Sequence, residues 1–347
     1  MPKRNTPAPN PITHALIDST VDRGLREIME DPNRSIRKLT DLGRLFSKGR
    51  FTDEIYGLVQ DLLHNDDSPY YTAIERLLRN MDHTYLKNFS INLGYHGLNF
   101  GSKIIRANAE TASHYTPWIL LIRYNASLPN GLTVSEIDSC VTQGKALGIY
   151  TYAIRMEGTL QAFPELTELM ARHKDCSFFF TLPDQKLMPT HLEELSACSA
   201  TLFLLRTNYA TAQTNAELLR KRKCFYGITT PYDNASAEAW LTGKRIKDLL
   251  QYETPFAILS SEDTCSSKTQ QKVAKFCRTL RMHPQYPILL FDQMGDVIAV
   301  DRLNSQQDSG SYFELLETGD IKTRSEILTD FRHTVSLEQL LTIALPK

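Results

Sequence analysis

Six short apolar runs alternate with helical patterns between residues 117 and 282, and this alternation constrains the fold more than any other feature. The apolar runs are 118–122, 149–155, 177–181, 201–205, 224–229 and 255–260, and the helical patterns are 133–147, 163–173, 189–197, 211–222, 235–250 and 266–282. Continuous apolar runs of this length are typical of strands buried on both faces. Strands joined through helices form a parallel sheet with right-handed crossovers. Six such units are fewer than a closed eight-stranded barrel needs, so the sequence predicts an α/β fold, a partial (β/α)6 TIM-like barrel.

The segments on either side of the barrel have a different pattern. We predict a flexible tail at 1–13, a helical N-terminal region at 14–115, the barrel at 116–285, and C-terminal hairpins with a final helix at 286–347. The N-terminal helices are expected near 18–29, 35–46, 52–63, 71–80 and 83–93. One hairpin is expected to pair 288–291 with 296–300, and another to pair 312–316 with 321–323. The final helix is expected at 336–344.

Three glycines, Gly94, Gly97 and Gly101, lie close together at the end of the helical region. Their spacing does not match a dinucleotide-binding fingerprint, and no strand precedes them. Two structural interpretations remain, a close approach between helices and a bend.

Composition and charge exclude several classes of function. Thirty-nine basic residues balance 40 acidic ones, so the net charge of −1 provides no general attraction for nucleic acid or for a membrane surface. No run approaches the roughly 20 apolar residues of a membrane span. The N-terminus has no apolar segment typical of a secretory signal, so we expect a cytoplasmic protein.

The cysteines and histidines show no spacing typical of a metal site. Six cysteines occur, and no two of them form a C-x2-C pair. A disulfide framework is not expected in a chain of this size without an export signal. The nine histidines include no H-x3-H or H-E-x2-H pair. We therefore predict buried cysteines, solvated histidines and no metal or other cofactor.

Five segments resemble a group of bacterial radical S-adenosylmethionine (SAM) proteins that have a helical N-terminal extension and a hairpin-rich C-terminal tail. They are 66–71 (DDSPYY), 133–138 (TVSEID), 144–150 (GKALGIY), 173–176 (HKDC) and 318–320 (TGD). The resemblance covers roughly residues 20–330. It implies a barrel of the radical SAM type.

The motifs that carry chemistry in that family are not present here. The family places C-x3-C-x2-C after its first barrel strand, where three thiolates hold a [4Fe–4S] cluster. The corresponding segment, 123–131 (RYNASLPNG), contains no cysteine and is shorter. Residues 156–159 (MEGT) replace the Gly-Gly-Glu-Pro motif that holds the SAM amino group, and 182–184 (LPD) replace Asn-Gly-Thr. The tail cysteine is also absent, because 321–324 read IKTR. The resemblance is thus to a degenerate member that lacks the cluster-binding cysteines.

Charged residues follow several of the predicted strands at the end where barrel enzymes place their sites. Three arginines are expected there, with carboxylates and a threonine on the same rim. The candidate ligand-binding residues are Arg123, Arg155, Glu157, Asp184, Arg206, Thr229 and Glu262. Converging arginines could bind an anionic ligand through bidentate hydrogen bonds. Alternatively, the carboxylates pair with the arginines and plug a vacant cofactor cavity.

Two functions follow as expectations. The first is a radical SAM-like pseudoenzyme, which is not an enzyme and binds an active radical SAM relative, or a peptide or protein substrate of one. The second is a protein that binds a small anionic molecule, or a cluster-independent enzyme, at the arginine-lined mouth. Neither expectation involves nucleic acid or a membrane.

Overall fold

The fold is seen in a computed structural model of the chain, which describes residues 11–30, 63, 65, 67–306, 310–329 and 336–347. The helix predicted at 35–46 and nearly all of that at 52–63 lie outside the described residues. Residues 1–10 of the predicted flexible tail also lie outside them. Within the described part of the chain, no helix is both long enough and apolar enough to cross a membrane.

A single ten-stranded sheet, counted over the described residues, forms the centre of the molecule. The strands are β1 (Ile119–Asn125), β2 (Thr151–Glu157), β3 (Ser177–Thr181), β4 (Thr201–Arg206), β5 (Tyr226–Tyr232), β6 (Phe256–Ser261), β7 (Leu289–Asp292), β8 (Glu314–Leu315), β9 (Ile321–Lys322) and β10 (Ile327–Leu328). Their order is β10-β9-β8-β1-β2-β3-β4-β5-β6-β7, and β1 to β7 are all parallel. The sheet curls into an open, partial barrel, so the predicted fold class is confirmed.

Helices lie on both sides of the sheet. They are α1 (Pro11–Glu30), α2 (Pro69–Asn80), α3 (His83–Ile91), a π-helix (Asn92–Gly101), α4 (Ser102–Asn108), α5 (Val134–Leu147), α6 (Phe163–Arg172), α7 (Pro189–Ser196), α8 (Ala212–Lys221), α9 (Ala237–Leu241), α10 (Ile246–Leu249), α11 (Ser267–Met282), α12 (Gln293–Ser305) and α13 (Leu337–Ala344). The helices that follow β1 to β6 cover the convex face of the sheet.

The sequence signals at the first barrel helix show why these units form. Thr133 caps the N-terminus of α5, since its hydroxyl accepts from the Glu136 amide and the Glu136 carboxylate accepts from the Thr133 amide. Gly148 ends the helix with φ +96°, a conformation that favours glycine. Between these ends, Ile137 and Val141 are fully buried against the sheet.

The N-terminal helices cover the concave face of the sheet at the amino ends of its strands. Phe89 of α3 makes edge contacts with Phe179 of β3 and with Phe225, which directly precedes β5, and the ring centroids are 5.3 and 5.0 Å from that of Phe89. Leu202 and Leu204 of β4 belong to the same buried cluster. This apolar packing covers the concave face near the amino ends of the strands. The polar side chains of the concave face therefore lie at the carboxyl ends of the strands.

Two local predictions are wrong. The hairpin expected around Met294 and Gly295 is a seventh parallel strand, β7, followed by α12, because Asp292 caps that helix and accepts from the Gly295 amide at 2.7 Å. The single helix expected at 235–250 is divided into α9 and α10, because Gly243 lies between them with φ +72°. The run of consecutive parallel strands is therefore seven, β1 to β7, instead of six.

The second predicted hairpin is confirmed and closes against the first barrel strand. Strands β8 and β9 are antiparallel, with Glu314 opposite Lys322. Strand β8 also pairs in parallel with β1, where Leu121 is opposite Glu314. The hairpin thus brings charged residues from the C-terminal region to the barrel mouth, although they are nearly 200 residues away in sequence.

Candidate functional site

Strand register brings the predicted arginines to one end of the concave face, which we call the mouth. Arg123 of β1 lies directly opposite Arg155 of β2. Arg206 is the last residue of β4 and lies opposite Thr229 of β5. Alternate residues of a strand point to the same face of the sheet. Each of these arginines therefore lies on the concave face, two positions after an inward-facing residue of its own strand.

Arg123 is held by two carboxylates. Its Nη1 and Nη2 donate to the two oxygens of Asp263 at 3.1 and 3.0 Å, and its Nε donates to Glu314 Oε1 at 2.6 Å. Nη2 also donates to Glu314 Oε2 at 3.3 Å. Burial alone would lower the pKa of Arg123, but the hydrogen bonds to both carboxylates outweigh it and the pKa is raised. Arg123 is therefore permanently charged and has a carboxylate partner on each side.

Lys322 and Tyr312 complete the surroundings of these carboxylates. Lys322 Nζ lies 2.6 Å from Asp263 Oδ1 and 3.8 Å from Glu314 Oε2. The Tyr312 hydroxyl donates to Glu314 Oε2 at 3.1 Å. The hydrogen bond from Arg123 is the largest influence on Asp263, and with Lys322 it keeps the pKa of that carboxyl well below its ordinary value. This group ties β1, β8 and β9 to the loop after β6.

Arg155 pairs with a carboxylate on its own strand. Its Nε lies 2.6 Å from Glu157 Oε1. The other oxygen of Glu157 accepts from the Tyr209 hydroxyl at 3.1 Å. Burial, with the negative charge of Glu157, raises the pKa of Tyr209 to about 12, so the phenol stays protonated and remains a donor.

Arg206 has weaker partners than Arg123, although it is the more deeply buried. Its side chain is 9% exposed. Nη2 donates to Glu262 Oε1 at 3.3 Å, and Nε donates to Asn208 Oδ1 at 3.4 Å. The Tyr209 ring lies under the guanidinium, 5.4 Å from centroid to Cζ. Both hydrogen bonds are long, so Glu262 holds this arginine loosely.

Asp184 does not pair with any of the three arginines. It accepts from the amides of Ala210 and Thr211 at 3.2 and 3.1 Å, and from the Thr211 hydroxyl at 2.8 Å. Asp184 is exposed, so its slight desolvation raises the pKa less than these hydrogen bonds lower it, and the pKa is lowered. Asp184 therefore has a structural role: its hydrogen bonds link the loop after β3 to the loop after β4.

Asp184→Ala tests this structural role. Losing an acceptor for two backbone amides should lower the free energy of unfolding by about 1 kcal/mol, because the site is exposed and water replaces part of the bonding. Asp184→Asn should retain most of the stability, since its amide oxygen can accept from the same amides. Urea denaturation of both variants measures the difference, and an alanine variant as stable as the wild type would contradict the assignment.

The described ion pairs at the mouth form a balanced set, which we call the mouth cluster. It contains four cations and four carboxylates, namely Arg123, Arg155, Arg206, Lys322, Glu157, Glu262, Asp263 and Glu314. The sequence predicts, as one alternative, that Glu157 and Glu262 pair with the arginines and fill the mouth. In the structure each of these two carboxylates contacts an arginine. An incoming anion therefore has to displace a carboxylate that is already present.

The residues of this chain do not fit the [4Fe–4S] cluster that the sequence resemblance implies. The loop between β1 and α5 has no cysteine, and two turns close it, with Leu128 and Gly131 donating to Asn125 and Leu128 carbonyls at 3.2 and 2.9 Å. Burial raises the pKa of all six thiols of the chain. They are those of Cys140, Cys176, Cys198, Cys224, Cys265 and Cys277. Cluster ligation requires thiolates. Across the part of the chain that the structure describes, no three His, Cys, Asp or Glu side chains are grouped to hold a metal ion.

Several members of the site were missed by sequence reasoning. Asp263 directly follows the predicted Glu262 and was within reach of the same argument. Tyr209 lies three residues after Arg206 in the loop that follows β4, where an aromatic residue could have been considered. Glu314 and Lys322 gave no local signal, because their place depends on the pairing of β8 with β1.

Comparison with known proteins gives distant structural similarities. The sequence matches no protein-family profile and no curated protein. One similar solved structure is SuiB of Streptococcus suis bound to S-adenosylmethionine, with a TM-score of 0.49 and 11% identity over 68% of this chain and 66% of that one. Another is native anSMEcpe with bound AdoMet and the Cp18Cys peptide, with a TM-score of 0.42 and 11% identity over 65% of this chain and 79% of that one.

Proposed function

We propose that this chain is a radical SAM-like pseudoenzyme, a protein without a [4Fe–4S] cluster that acts by binding. The single observation that supports it best is the balanced mouth cluster. Arg123, Arg155 and Arg206 each contact a carboxylate of the same chain at the end of the barrel where an enzyme of this fold would react its substrate.

The positions of the missing motifs support the same proposal. Glu157 belongs to the segment that replaces the SAM amino-group motif, and its carboxylate is engaged by Arg155 and Tyr209. Gly158, the next residue, has φ +75°, and a Cβ there would lie 2.8 Å from Asn125 Oδ1. The loop after β2 therefore packs directly against Asn125 at the end of β1.

The partner we propose is an active radical SAM relative, or a peptide or protein substrate of one. The basis is the combination of a retained barrel and absent cluster ligands, since a scaffold that has lost its chemistry can still present its surfaces. The chain would then act as the non-catalytic member of a complex.

Sedimentation of the purified chain with each radical SAM protein of its source organism tests this partner. We expect one mixture to give a defined complex, and we expect a radical SAM protein from an unrelated organism, as the control, to give none. Independent sedimentation in every mixture, together with no binding of the peptide substrates of those proteins, would contradict the proposal.

A small anionic ligand is a weaker candidate for the same mouth. Arg123 is fully engaged by Asp263 and Glu314, so it is not available to a ligand without the loss of buried ion pairs. Arg206 differs, because its contacts are long and its partner Glu262 is half-exposed.

A further inference from the structure

Arg206 is a buried guanidinium with incomplete hydrogen bonding. Its side chain is 9% exposed, and its Nη1 has no acceptor among the residues that the structure describes. The other two nitrogens use single contacts of 3.3 and 3.4 Å. A guanidinium carries five N–H donors in a planar fork suited to a carboxylate. The arginine is therefore able to donate more hydrogen bonds than it makes.

A threonine is paired with this arginine on the neighbouring strand. Thr229 is the register partner of Arg206 on the neighbouring strand. Its backbone carbonyl accepts from Thr207, while its hydroxyl has no partner in the described part of the chain. The two side chains together present N–H and O–H donors on the same concave face.

Glu262 is the resident partner of Arg206 and can leave it easily. Its side chain is 51% exposed, and it makes one contact to the guanidinium, at 3.3 Å. A half-exposed pair with one long hydrogen bond contributes little to stability, and the carboxylate regains its hydration when it turns outward.

We propose that Arg206 and Thr229 bind a carboxylate of a ligand, which takes the place of Glu262. This inference rests on the proposed function and deepens it, because it names the group of the partner that the mouth recognises. Charge balance selects a carboxylate over a phosphate. One monoanion replaces another and the mouth cluster stays neutral, whereas a phosphate group carries nearly two charges at neutral pH and would face Glu157, Asp263 and Glu314.

The carboxylate has two sources that share this chemistry, an acidic side chain of a polypeptide and a small free carboxylic acid. Binding can be followed in the full-length protein labelled with 15N-arginine, through the Nε–Hε resonance of Arg206, assigned with Arg206→Lys. The probes are a capped peptide with one glutamate between glycines, the same peptide with glutamine, sodium acetate and inorganic phosphate.

Glu262→Gln removes the internal competitor and is the decisive variant. We expect it to bind the glutamate peptide about fivefold more tightly than the wild type does, since the binding-competent fraction rises. Glu253→Gln is the matched control, because Glu253 is 53% exposed and contacts Arg220 at 3.1 Å, away from the mouth. It should leave the affinity unchanged, and Arg206→Lys should weaken it at least about tenfold because the fork is lost.

The two sources give different results, and both support carboxylate recognition. A polypeptide source predicts tighter binding of the glutamate peptide than of acetate, and a free acid predicts equal binding. Equal affinities of Glu262→Gln and wild type, or binding of phosphate in preference to the glutamate peptide, would overturn the inference. If no probe binds while the chain still associates with a radical SAM protein, the inference fails and the proposed function stands.

Discussion

Replacing Glu314 with alanine should lower the free energy of unfolding by about 3 to 5 kcal/mol, because it removes the buried one of the two carboxylates that pair with Arg123 and Lys322. The Glu314 side chain is 5% exposed and Arg123 is 11% exposed. Arg123 would lose its 2.6 Å contact, and Lys322 and the Tyr312 hydroxyl would lose an acceptor. Urea denaturation monitored by circular dichroism measures the change.

Two further variants show whether the loss of stability comes from the buried ion pairs at the mouth. Asp175→Ala removes the carboxylate that pairs with Lys145, a pair in which both side chains are partly exposed, and should cost at most about 1 kcal/mol. Adding Arg123→Met to Glu314→Ala should recover part of the loss, since the variant then no longer buries a guanidinium that has lost one of its two carboxylate partners. A Glu314→Ala variant that is no less stable than Asp175→Ala would show that the ion pairs at the mouth are not structural.

A methyl group at Gly101 should destabilise the protein by about 3 kcal/mol, because it meets backbone that cannot move aside. A Cβ at this position would overlap the carbonyl oxygen of Gly148, and it would lie 3.2 Å from Tyr150 Cδ2. Gly101 has φ −59° and ψ −43°, which alanine adopts readily, so the penalty is steric and not conformational. Thermal unfolding of Gly101→Ala measures it.

Gly94→Ala is the control from the same π-helix. A Cβ there would meet no atom within 4 Å, so the substitution should be neutral or stabilising by up to about 1 kcal/mol. Equal effects at the two positions would contradict the close approach between the π-helix and the end of α5.

The barrel could be predicted because its signals are local. Each strand is a continuous apolar run, and each of its helices has a periodic apolar face, so six units and the direction of their strands follow from the sequence. The same register placed Arg123, Arg155 and Arg206 at the mouth, as the structure does. The glycines near Gly101 were expected to mark a close approach or a bend, and the approach to Gly148 is observed.

The remaining features depend on contacts that no short segment encodes. Asp292 caps α12, and the same residues 292–295 are also compatible with a turn between two strands. Glu314 reaches Arg123 only because β8 pairs with β1 across 191 residues. Asp184 was predicted to pair with an arginine because it follows a strand. In the structure it instead accepts hydrogen bonds from backbone amides of the loop after β4.

Side chains of this chain occupy the mouth, and we expect that it does not support a [4Fe–4S] cluster. Anaerobic reconstitution with iron and sulfide, followed by measurement of bound iron and of SAM cleavage under reducing conditions, tests it most directly. An active radical SAM enzyme treated in parallel is the positive control. We expect no stoichiometric iron and no cleavage of SAM by the chain described here. A brown protein that binds about four iron atoms per chain and cleaves SAM would contradict the account.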